Sequence, residues 1–355
     1  MDGFWGIGEK STNIYKLEAQ KIAFAPFVFQ VTRVAKESGI LEIIYSYKEI
    51  GCSLNTIIEK SNLSKYAVKV ILDAIKSIGL VTIVDNNYVL TKTGYFILKD
   101  KMTEINMNFT NDVCYNGLFY LDEALKNGKP AGLKVFGNWK TIYEALSELP
   151  EQVRKSWFDF NHYYSDAVFD KILPIIFKYN PNKIIDIGGN TGKWAIKCAN
   201  YNKNVNVTII DLPGQINDAK KIVSDSGLSD RITFLEANIL DDKNLSVKGD
   251  IIWMSQFLDC FSEEEIVKIV KKAKNSLNSN GKIFILETFV DNQRYETAEF
   301  CLNMTSLYFT TMANGNSRMY RINDMKELLS ISGFKIIEEI PSGISHTLLI
   351  CEENV

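Results

Sequence analysis

The residues whose types and spacing most clearly suggest chemistry lie between positions 182 and 211. Residues 183–187 are typical of a short buried strand, the run Gly188-Gly189-Asn190-Thr191-Gly192 of a tight loop, and residues 193–200 of the start of a helix. Small residues let a ligand approach the backbone, and the unpaired amides at the start of a helix point toward it. A second strand ends in Asp211, whose carboxylate can accept hydrogen bonds from both hydroxyls of a ribose. The pattern predicts a site for a nucleotide-like ligand.

Two common nucleotide-binding loops do not fit this segment. A dinucleotide fingerprint has glycine at its first, third and sixth positions, which here are Gly188, Asn190 and Lys193. A Walker loop has Ser or Thr after Gly-Lys, whereas Trp194 follows Lys193. Asn190 replaces a middle glycine, and asparagine is the residue other than glycine that best tolerates a left-handed backbone. The loop can therefore form, but its sequence predicts a nucleotide-like ligand other than those that the dinucleotide fingerprint and the Walker loop bind.

The composition bounds the class of protein. A length of 355 residues predicts two domains, and 46% hydrophobic residues are enough for large buried cores. A net charge of −3 gives no overall attraction to nucleic acid or anionic lipid. The six cysteines are scattered and only two histidines occur, so we expect no metal site, no disulfide framework and a cytoplasmic location. The sequence shows neither a signal peptide nor an apolar stretch long enough to span a membrane.

Residues 1–104 predict a winged-helix domain that is mostly α-helical. A long apolar helix, bent or restarted at Pro26, precedes two helices with N-caps at Ser53 and Ser64. Two short strands around Asp85-Asn86-Asn87 predict a hairpin. The helix after Ser64 offers lysines but no arginine for reading guanine, so DNA binding is the weaker interpretation. We expect this domain to form the buried interface of a homodimer.

The rest of the chain divides into a helical stretch and an α/β stretch. Residues 105–170 read as helices rich in aromatic residues, and the segment 157–164 is dense enough in them to line an apolar pocket for a flat ligand. In residues 171–355 strands alternate with helices, which predicts a parallel, Rossmann-like sheet flanked by helices. A turn at Pro341-Ser342-Gly343 is too short for a parallel crossover, so the last strand should be antiparallel.

With the winged helix, the glycine loop and the closing hairpin, the chain resembles the homodimeric small-molecule O-methyltransferases of the caffeic-acid and acetylserotonin type. The resemblance covers essentially the whole chain. It implies a class I methyltransferase fold, S-adenosylmethionine (SAM) as cofactor, S-adenosylhomocysteine as product, no metal, and a small aromatic acceptor.

The same resemblance implies the residues that bind SAM. Asp211-Leu212-Pro213 matches the family's ribose-binding Asp-Leu-Pro without change. Residues 237–240 match the family's Gly-Asp-Met-Phe, which places the amide of Asn238 near the adenine. The full set of implied SAM-binding residues is Asp186, Gly188, Gly189, Gly192, Asp211, Leu212, Asn238, Ile239, Ser255 and Gln256.

The sequence departs from the family at the catalytic base. The family's Leu-Lys-x-x-Leu-His-Asp-Trp corresponds to residues 254–261, so its catalytic histidine falls on Asp259. Of its two supporting acids, one is retained as Glu287 and the other falls on Tyr320. A carboxylate can remove a hydroxyl proton if burial or a like charge raises its pKa, and Glu287 beside Asp259 would supply such a charge.

Three hypotheses for the base follow. Asp259 is the base, or His162 in the aromatic segment has replaced it, or no base is needed. The last holds if the acceptor is an amine, an acidic phenol or a carbon nucleophile, or if SAM is used without methyl transfer to oxygen. Phe160, Tyr164 and Tyr320 are expected to line the acceptor pocket.

Two rival functions also remain open. One is a SAM enzyme of the same fold that performs N- or C-methylation or other chemistry. The other is a metabolite-responsive regulator that binds DNA through its winged helix.

Overall fold

The structure is a computed structural model that describes residues 12–165, 168–241 and 244–354. These residues form two compact units, one ending at Met107 and the other beginning at Asn108. None of the helices in the described ranges combines the length and the apolar character that crossing a membrane requires.

Helices and one hairpin make up the first unit. Its helices are α1 (Thr12–Ala23), α2 (Ala25–Glu37), α3 (Ile40–Ser46), α4 (Leu54–Lys60), α5 (Lys65–Ser77), α6 (Lys92–Lys99) and α7 (Lys101–Phe109), and its strands are β1 (Val81–Val84) and β2 (Asn87–Leu90). Pro26 lies in the first turn of α2, where proline is tolerated, so it restarts the helix rather than bending it. The hydroxyls of Ser53 and Ser64 accept hydrogen bonds from the backbone amides of Thr56 and Ala67, at 3.2 and 3.1 Å. Both predicted N-caps are therefore present.

The hairpin turn is shorter than expected from the sequence. Asn87 was expected in the turn, but it pairs with Val84 and begins β2. Asp85 and Asn86 form the turn alone, with φ of 47° and 63°. A two-residue turn with both residues left-handed matches the twist of the strands, which explains why the chain needs no third turn residue.

An apolar surface on α1 and α2 is left uncovered within the first unit. The side chains of Ile22, Phe27 and Phe24 are 78%, 72% and 54% exposed, and α1 has no buried residue. The core of this unit lies elsewhere, around the α3–α5 helices. Large exposed apolar patches of this kind mark interaction surfaces.

A seven-stranded mixed sheet is the centre of the second unit. Its strands are β3 (Lys183–Ile187), β4 (Asn206–Asp211), β5 (Ile232–Glu236), β6 (Gly249–Ser255), β7 (Leu277–Thr288), β8 (Phe334–Ser342) and β9 (His346–Glu353). They lie in the order β5-β4-β3-β6-β7-β9-β8, and β3 to β7 run parallel to one another. The last strand, β9, is antiparallel to both β7 and β8, as the short closing turn predicts.

The closing turn lies later in the chain than expected. Pro341 and Ser342 were expected in the turn, but both belong to β8 and pair with Thr347 and His346. Because β8 is the edge strand of the sheet, a proline there removes no ladder hydrogen bond on an inner strand. The turn that joins β8 to β9 begins at Gly343, whose φ is +69°.

Helices cover the sheet and form a separate layer. They are α8 (Leu121–Asn127), α9 (Ile142–Ala145), α10 (Glu151–Ser165), α11 (Phe169–Phe177), α12 (Lys193–Tyr201), α13 (Pro213–Asp225), α14 (Glu263–Lys274), α15 (Glu296–Tyr308) and α16 (Ile322–Ile331). One core lies on the α11–α12 face of the sheet, where Trp194 stacks on Trp253 with ring centroids 4.2 Å apart. A second core lies on the opposite face, under α14 and α16.

A third core is formed by helices away from the sheet. It includes Trp157, Leu302, Tyr308 and Phe309, and it contains two π-helical segments, Thr110–Cys114 and Phe309–Ala313. We call this cluster the aromatic core. π-helical turns are rare and are frequently found at functional sites.

Candidate active site

Several parallel strands end at one edge of the sheet, and the predicted site residues follow them. The register places Ile187, the last residue of β3, beside Ile210 of β4 and Met254 of β6. β7, which carries Glu287 near its end, lies on the other side of β6. The carboxyl edge of such a sheet is where open α/β folds bind ligands.

The glycine loop after β3 has the left-handed backbone that its sequence predicts. The φ angles of Gly188, Asn190 and Gly192 are 76°, 48° and 76°. The amide of Gly192 donates to the carbonyl of Gly189 at 2.8 Å, which closes the loop. The expectation that Asn190 can replace a glycine in this conformation is therefore confirmed.

The reason for glycine in this loop differs from the one expected. A Cβ on Gly188 would lie 2.2 Å from the ring of Phe257, and one on Gly189 would lie 2.7 Å from the Asp186 carboxylate. A Cβ on Gly192 would lie 3.2 Å from Ile209. The glycines therefore make room for neighbouring side chains, not only for a ligand. Sequence reasoning missed Phe257, since nothing local shows that its ring covers Gly188.

Two acids lie beside the loop. Asp211 accepts hydrogen bonds from the amides of Asn190 at 2.9 Å and Leu212 at 2.7 Å. Burial raises the pKa of Asp211 to about 6, although these two hydrogen bonds lower it. Burial, and then the charge of Asp211, raises the pKa of Asp186 to about 8. A ligand that donates hydrogen bonds here would therefore stabilise the ionised acids.

Three buried polar atoms near this edge have no hydrogen-bond partner among the described residues. They are Oδ2 of Asp186, Oγ of Ser255 and Oε1 of Gln256. Gln256 also has a left-handed φ of 46°, held by a hydrogen bond from its amide to the carbonyl of Leu286 at 2.9 Å. Buried polar atoms normally find partners, so these atoms fit a ligand rich in donors, such as the ribose and ammonium of SAM.

The loop after β5 carries the predicted adenine contacts. Asn238 is exposed, and its Oδ1 accepts a hydrogen bond from the amide of Leu240 at 3.0 Å, whereas Ile239 is buried. Nζ of Lys272, on α14, donates to the carbonyl of Ile239 at 2.6 Å and to the carbonyl of Asp241. Lys272, which sequence reasoning did not single out, therefore ties this loop to α14.

Asp259 and Glu287 form a buried pair of carboxyls. They are 5% and 1% exposed. Oε1 of Glu287 accepts hydrogen bonds from the amides of Phe257 at 3.0 Å and Leu258 at 2.9 Å, while its Oε2 has no partner among the described residues. Burial raises the pKa of Asp259 to about 6. Burial, and then the charge of Asp259, raises the pKa of Glu287 well above its ordinary value.

Of the two causes that the sequence suggested for a raised pKa of Asp259, burial is the larger. Hydrogen bonds from the Cys260 thiol and nearby amides oppose it. The charge acts mainly in the other direction, from Asp259 on Glu287. The two carboxyls therefore titrate as a pair, and burial together with their mutual repulsion disfavours the state in which both are ionised.

The aromatic core borders this carboxyl pair. Cys260 packs against that core, and its Sγ donates to Oδ1 of Asp259 at 3.4 Å. Nε1 of Trp157 donates to the hydroxyl of Tyr308 at 2.7 Å. Asp259 is close enough to Tyr308 and Tyr143 to raise the pKa of both phenols further, after burial has raised them.

The predicted pocket residues have different surroundings. Phe160 packs against the aromatic core and stacks on Phe109, with ring centroids 3.9 Å apart, and Tyr164 lies against Phe160 at 5.0 Å. Tyr320 is buried in the core under α14 and α16, and its hydroxyl donates to the carbonyl of Phe261 at 2.6 Å. Phe160 thus borders the same cluster as Cys260, whereas the Tyr320 hydroxyl holds the backbone that follows Asp259. Their roles as pocket walls stay predictions.

The two histidines lie on different elements. His162, on α10, stacks on Phe158 with ring centroids 5.9 Å apart, and its role as a base stays a prediction. His346 begins β9 and is buried, and burial lowers its pKa to about 4. Within residues 12–165, 168–241 and 244–354, no group of three His, Cys, Asp or Glu side chains is arranged to hold a metal ion. The absence of a metal stays a prediction.

Comparisons with known proteins agree with this geometry. Residues 119–335 match the model of the O-methyltransferase domain family, and residues 16–88 match that of a Dimerisation2-like domain. The L-tyrosine C(3)-methyltransferase of Streptomyces lavendulae is 23% identical over 317 residues, which are 88% of this chain and 85% of that protein. The acetylserotonin O-methyltransferase of Gallus gallus is 23% identical over 89% of this chain and 91% of its own.

A solved structure shows the same fold. The O-methyltransferase NcsB1 from neocarzinostatin biosynthesis, in complex with SAM and 2-hydroxy-5-methyl naphthoic acid, has a TM-score of 0.68 and 17% identity, over 92% of this chain and 95% of that chain. The class I fold and the resemblance inferred from the sequence are both confirmed. Since the first family model covers more than half of the chain, this protein belongs to the O-methyltransferase domain family and is a SAM-dependent methyltransferase.

Proposed function

We propose that the protein methylates a small aromatic acceptor through its hydroxyl group. The observation that carries this proposal is the buried Asp259 carboxyl, which borders the aromatic core and follows the strand beside the glycine loop. Phe160 and Tyr164 supply flat apolar surface next to that core, which suits an aromatic ring. Relatives with the same fold act on or bind tyrosine, acetylserotonin or a naphthoic acid, all of them aromatic.

Asp259 is the proposed base. The pKa of Asp259 is about 6, which is higher than that of an ordinary aspartate and therefore closer to the pKa of a phenol. Asp259 is thus a stronger base than an ordinary aspartate, and it is still ionised at neutral pH. In the proposed step the O–H bond of the acceptor breaks and the proton moves to Asp259. Glu287 stays protonated because it is buried beside that charge, so the pair holds one negative charge, not two. The pair therefore replaces the histidine of the family.

The proposed cofactor site consists of the residues around the glycine loop. When bound, SAM supplies a methyl group that its sulfonium already activates, so the protein needs mainly to align it with the acceptor and exclude water. Asp211 accepts hydrogen bonds from the ribose, and Asp186, Ser255 and Gln256 offer buried oxygens to other donors. Oδ1 of Asn238 already accepts one hydrogen bond within its loop, while its amide nitrogen remains a donor for a ring nitrogen of adenine and the second lone pair of Oδ1 an acceptor for the adenine amino group.

The remaining SAM contacts are apolar or made by the backbone. Gly188, Gly189 and Gly192 shape the loop, and Leu212 and Ile239 flank the nucleoside. Their assignment rests on the loop conformation and on the position of β4 and β5 beside it.

Transfer to carbon is the second candidate reaction. It is favoured by the similarity to an L-tyrosine C(3)-methyltransferase, which extends over 88% of this chain. Methylation at a carbon next to a phenol hydroxyl also begins with loss of the hydroxyl proton, so Asp259 serves both reactions. The DNA-binding alternative is not favoured, since the first unit matches a dimerisation model and presents an apolar surface.

We propose that the apolar surface of α1 and α2 is covered by a second copy of the chain. Ile22, Phe24 and Phe27 are more than half exposed in one copy, and the matching family model describes a dimerisation domain. Light scattering that gives the mass of a single chain would contradict the homodimer.

We also propose a cytoplasmic location, because all six cysteines are free thiols in the structure.

One experiment tests the reaction itself. The enzyme is incubated with SAM and, separately, with L-tyrosine, N-acetylserotonin and 2-hydroxy-5-methyl naphthoic acid. We expect a mass gain of about 14 Da on at least one acceptor together with equimolar S-adenosylhomocysteine, and fragmentation of the product separates an O-methyl from a C-methyl group. The Asp211→Ala variant is the control, because it weakens SAM binding. Failure to release S-adenosylhomocysteine with any hydroxylated aromatic compound would count against the proposal.

A further inference from the structure

The Tyr143 hydroxyl is a buried donor that has no acceptor in hydrogen-bond geometry among the described residues. Tyr143 lies on the short helix α9 and packs against the aromatic core. Its carbonyl accepts a hydrogen bond from Nε2 of Gln215, on α13, at 3.1 Å, so the backbone at this position is fixed. Its hydroxyl oxygen is buried and has no hydrogen-bond partner among the described residues. Each buried polar atom without a partner needs an explanation.

The polar groups around Tyr143 are already paired with one another. The Trp157 indole donates to Tyr308, and the Cys260 thiol donates to Asp259. After burial, the charges of Cys260, Tyr308 and Asp259 and a side-chain contact with the Cys260 thiol raise the pKa of Tyr143 further. That contact with sulfur is close but lies outside hydrogen-bond geometry, so the hydroxyl proton is left for another acceptor. Tyr143 therefore keeps its proton and presents it beside the proposed base.

We propose that the Tyr143 hydroxyl donates a hydrogen bond to the reacting oxygen of a phenolic acceptor, while Asp259 accepts the proton of that same oxygen. This inference rests on the proposed function and narrows its substrate class. The phenol oxygen has two lone pairs, so one can accept from Tyr143 while the other remains for the methyl group. As the acceptor O–H bond breaks, the proton goes to Asp259 and the hydrogen bond from Tyr143 strengthens, because its acceptor becomes charged.

The same arrangement disfavours an amine acceptor. A neutral amine has a single lone pair, and a hydrogen bond from Tyr143 would occupy the pair that must attack the methyl group. For methylation at a carbon next to the hydroxyl, Tyr143 and Asp259 would still hold the phenol oxygen. The structure thus points to a phenol, rather than an aniline or alkyl amine, as the acceptor class.

The kinetic test is Tyr143→Phe, which removes only the hydroxyl. With the phenolic acceptor that the wild type methylates, we expect kcat/KM to fall by about tenfold or more, and the KM for SAM to stay unchanged. The melting temperature should not fall, because the lost hydroxyl has no hydrogen-bond partner in the part of the chain that the structure describes. Tyr179→Phe is the matched control, since the Tyr179 hydroxyl donates to Glu338, away from the aromatic core. An unchanged kcat/KM in Tyr143→Phe would overturn the inference.

A binding test avoids dependence on turnover. Calorimetry in the presence of S-adenosylhomocysteine compares 4-nitrophenol, 4-nitroaniline and 4-nitrotoluene, which differ only in the group that meets Tyr143. We expect Tyr143→Phe to lower the affinity for 4-nitrophenol about tenfold and to leave the affinity for 4-nitrotoluene unchanged. Equal affinity of the wild type and Tyr143→Phe for 4-nitrophenol would overturn the role of Tyr143 but leave the proposed function untouched. No binding of 4-nitrophenol to the wild type would count against the phenol-acceptor proposal itself.

Discussion

Each half of the candidate site contains a pair of acids, and the two pairs are built alike but placed in different surroundings. In the cofactor half, Asp186 is buried with one oxygen that no described residue pairs, and the pKa of Asp211 beside it is about 6. In the acceptor half, Glu287 is buried with one such oxygen, and the pKa of Asp259 beside it is also about 6. Burial is the main cause of the raised pKa at all four acids.

The difference lies in what surrounds the outer acid of each pair. Asp211 accepts two backbone hydrogen bonds from the chain that forms the ligand loop, which fixes its carboxylate in one orientation. Asp259 also accepts hydrogen bonds from nearby amides, but in addition it accepts one from the Cys260 thiol and borders the phenols of the aromatic core. We infer that the same pairing of acids serves cofactor binding beside the glycine loop and proton removal beside the aromatic core.

The largest expected effect comes from Asp259→Asn. The amide keeps the shape but cannot take the acceptor proton, so kcat should fall on the order of a hundredfold or more while SAM affinity stays intact. Steady-state kinetics and SAM calorimetry on the same preparation check both statements. A loss below about tenfold would mean that the acceptor needs no base, and a crippled His162→Ala beside a normal Asp259→Asn would move the role to His162.

Asp211→Ala should have the opposite signature. Loss of a charge-assisted hydrogen bond to ribose should weaken SAM binding by about 1.5–3 kcal/mol, with kcat at saturating SAM changed little. Calorimetry checks the affinity. Asp218→Ala, an exposed acid on the neighbouring helix α13, is the control. If both variants bind SAM like the wild type, the cofactor half of the site is wrongly assigned.

The pH dependence should follow Asp259. Asp259 accepts a proton only when ionised, so kcat/KM should fall about tenfold per pH unit below a pKa of about 6 and level off above it. Burial raises this pKa, so the fall begins at a higher pH than an ordinary aspartate would give. The residual activity of Asp259→Asn should lack this limb. If the variant shows the same fall in kcat/KM at low pH, the fall belongs to a group other than Asp259.

Gly188→Ala separates steric from conformational effects in the cofactor half. Gly188 and Gly227 have similar φ angles, 76° and 70°, but a Cβ would meet Phe257 only at Gly188. Gly227→Ala should cost roughly 1–2 kcal/mol of stability from the left-handed backbone alone. Gly188→Ala should cost about 1–3 kcal/mol more and weaken SAM binding, because the Phe257 ring must move. Equal unfolding free energies in denaturant would show that Phe257 moves freely.

The smallest effect is expected from Glu287→Gln. In the proposed mechanism Glu287 carries the proton of the pair, so a neutral amide of the same shape should change kcat less than about threefold. The amide oxygen would still accept hydrogen bonds from the backbone amides of Phe257 and Leu258. Glu287→Ala, which leaves those two amides without their acceptor, should destabilise the fold by about 1–3 kcal/mol. A Glu287→Gln loss as large as that of Asp259→Asn would show that Glu287 works as an anion.

The cofactor half could be predicted from the sequence because its signals are local. The glycine loop, the left-handed Asn190 and the acid at the end of β4 follow from short-range rules on backbone conformation and strand ends. Ser53 and Ser64 as N-caps are equally local. Each of these features depends on only a few residues that are neighbours in the sequence, so a short motif is enough to predict it.

In both halves of the site, the contacts that sequence reasoning missed are those that join distant segments. The ring of Phe257 covers Gly188, Tyr143 reaches the neighbourhood of Asp259, and Lys272 holds the loop at Ile239. The family pattern identified Asp259 only as the position where a histidine is missing. Whether a buried carboxyl there is ionised depends on the whole surrounding core, which no short motif encodes.

The position of β9 makes completion of the sheet a late event in the life of the nascent chain. Glu287 lies on β7, and its ladder partner on β9 is Thr347, far along the sequence. Until β8 and β9 have both left the ribosome, the side of β7 that faces away from β6 presents an open row of amides and carbonyls, on the strand that carries Glu287. An open strand edge is a template for pairing with the wrong chain. Chains that stop before residue 346 should therefore aggregate as well as lack activity, and chaperones that shield β7 during synthesis would protect both solubility and the active site.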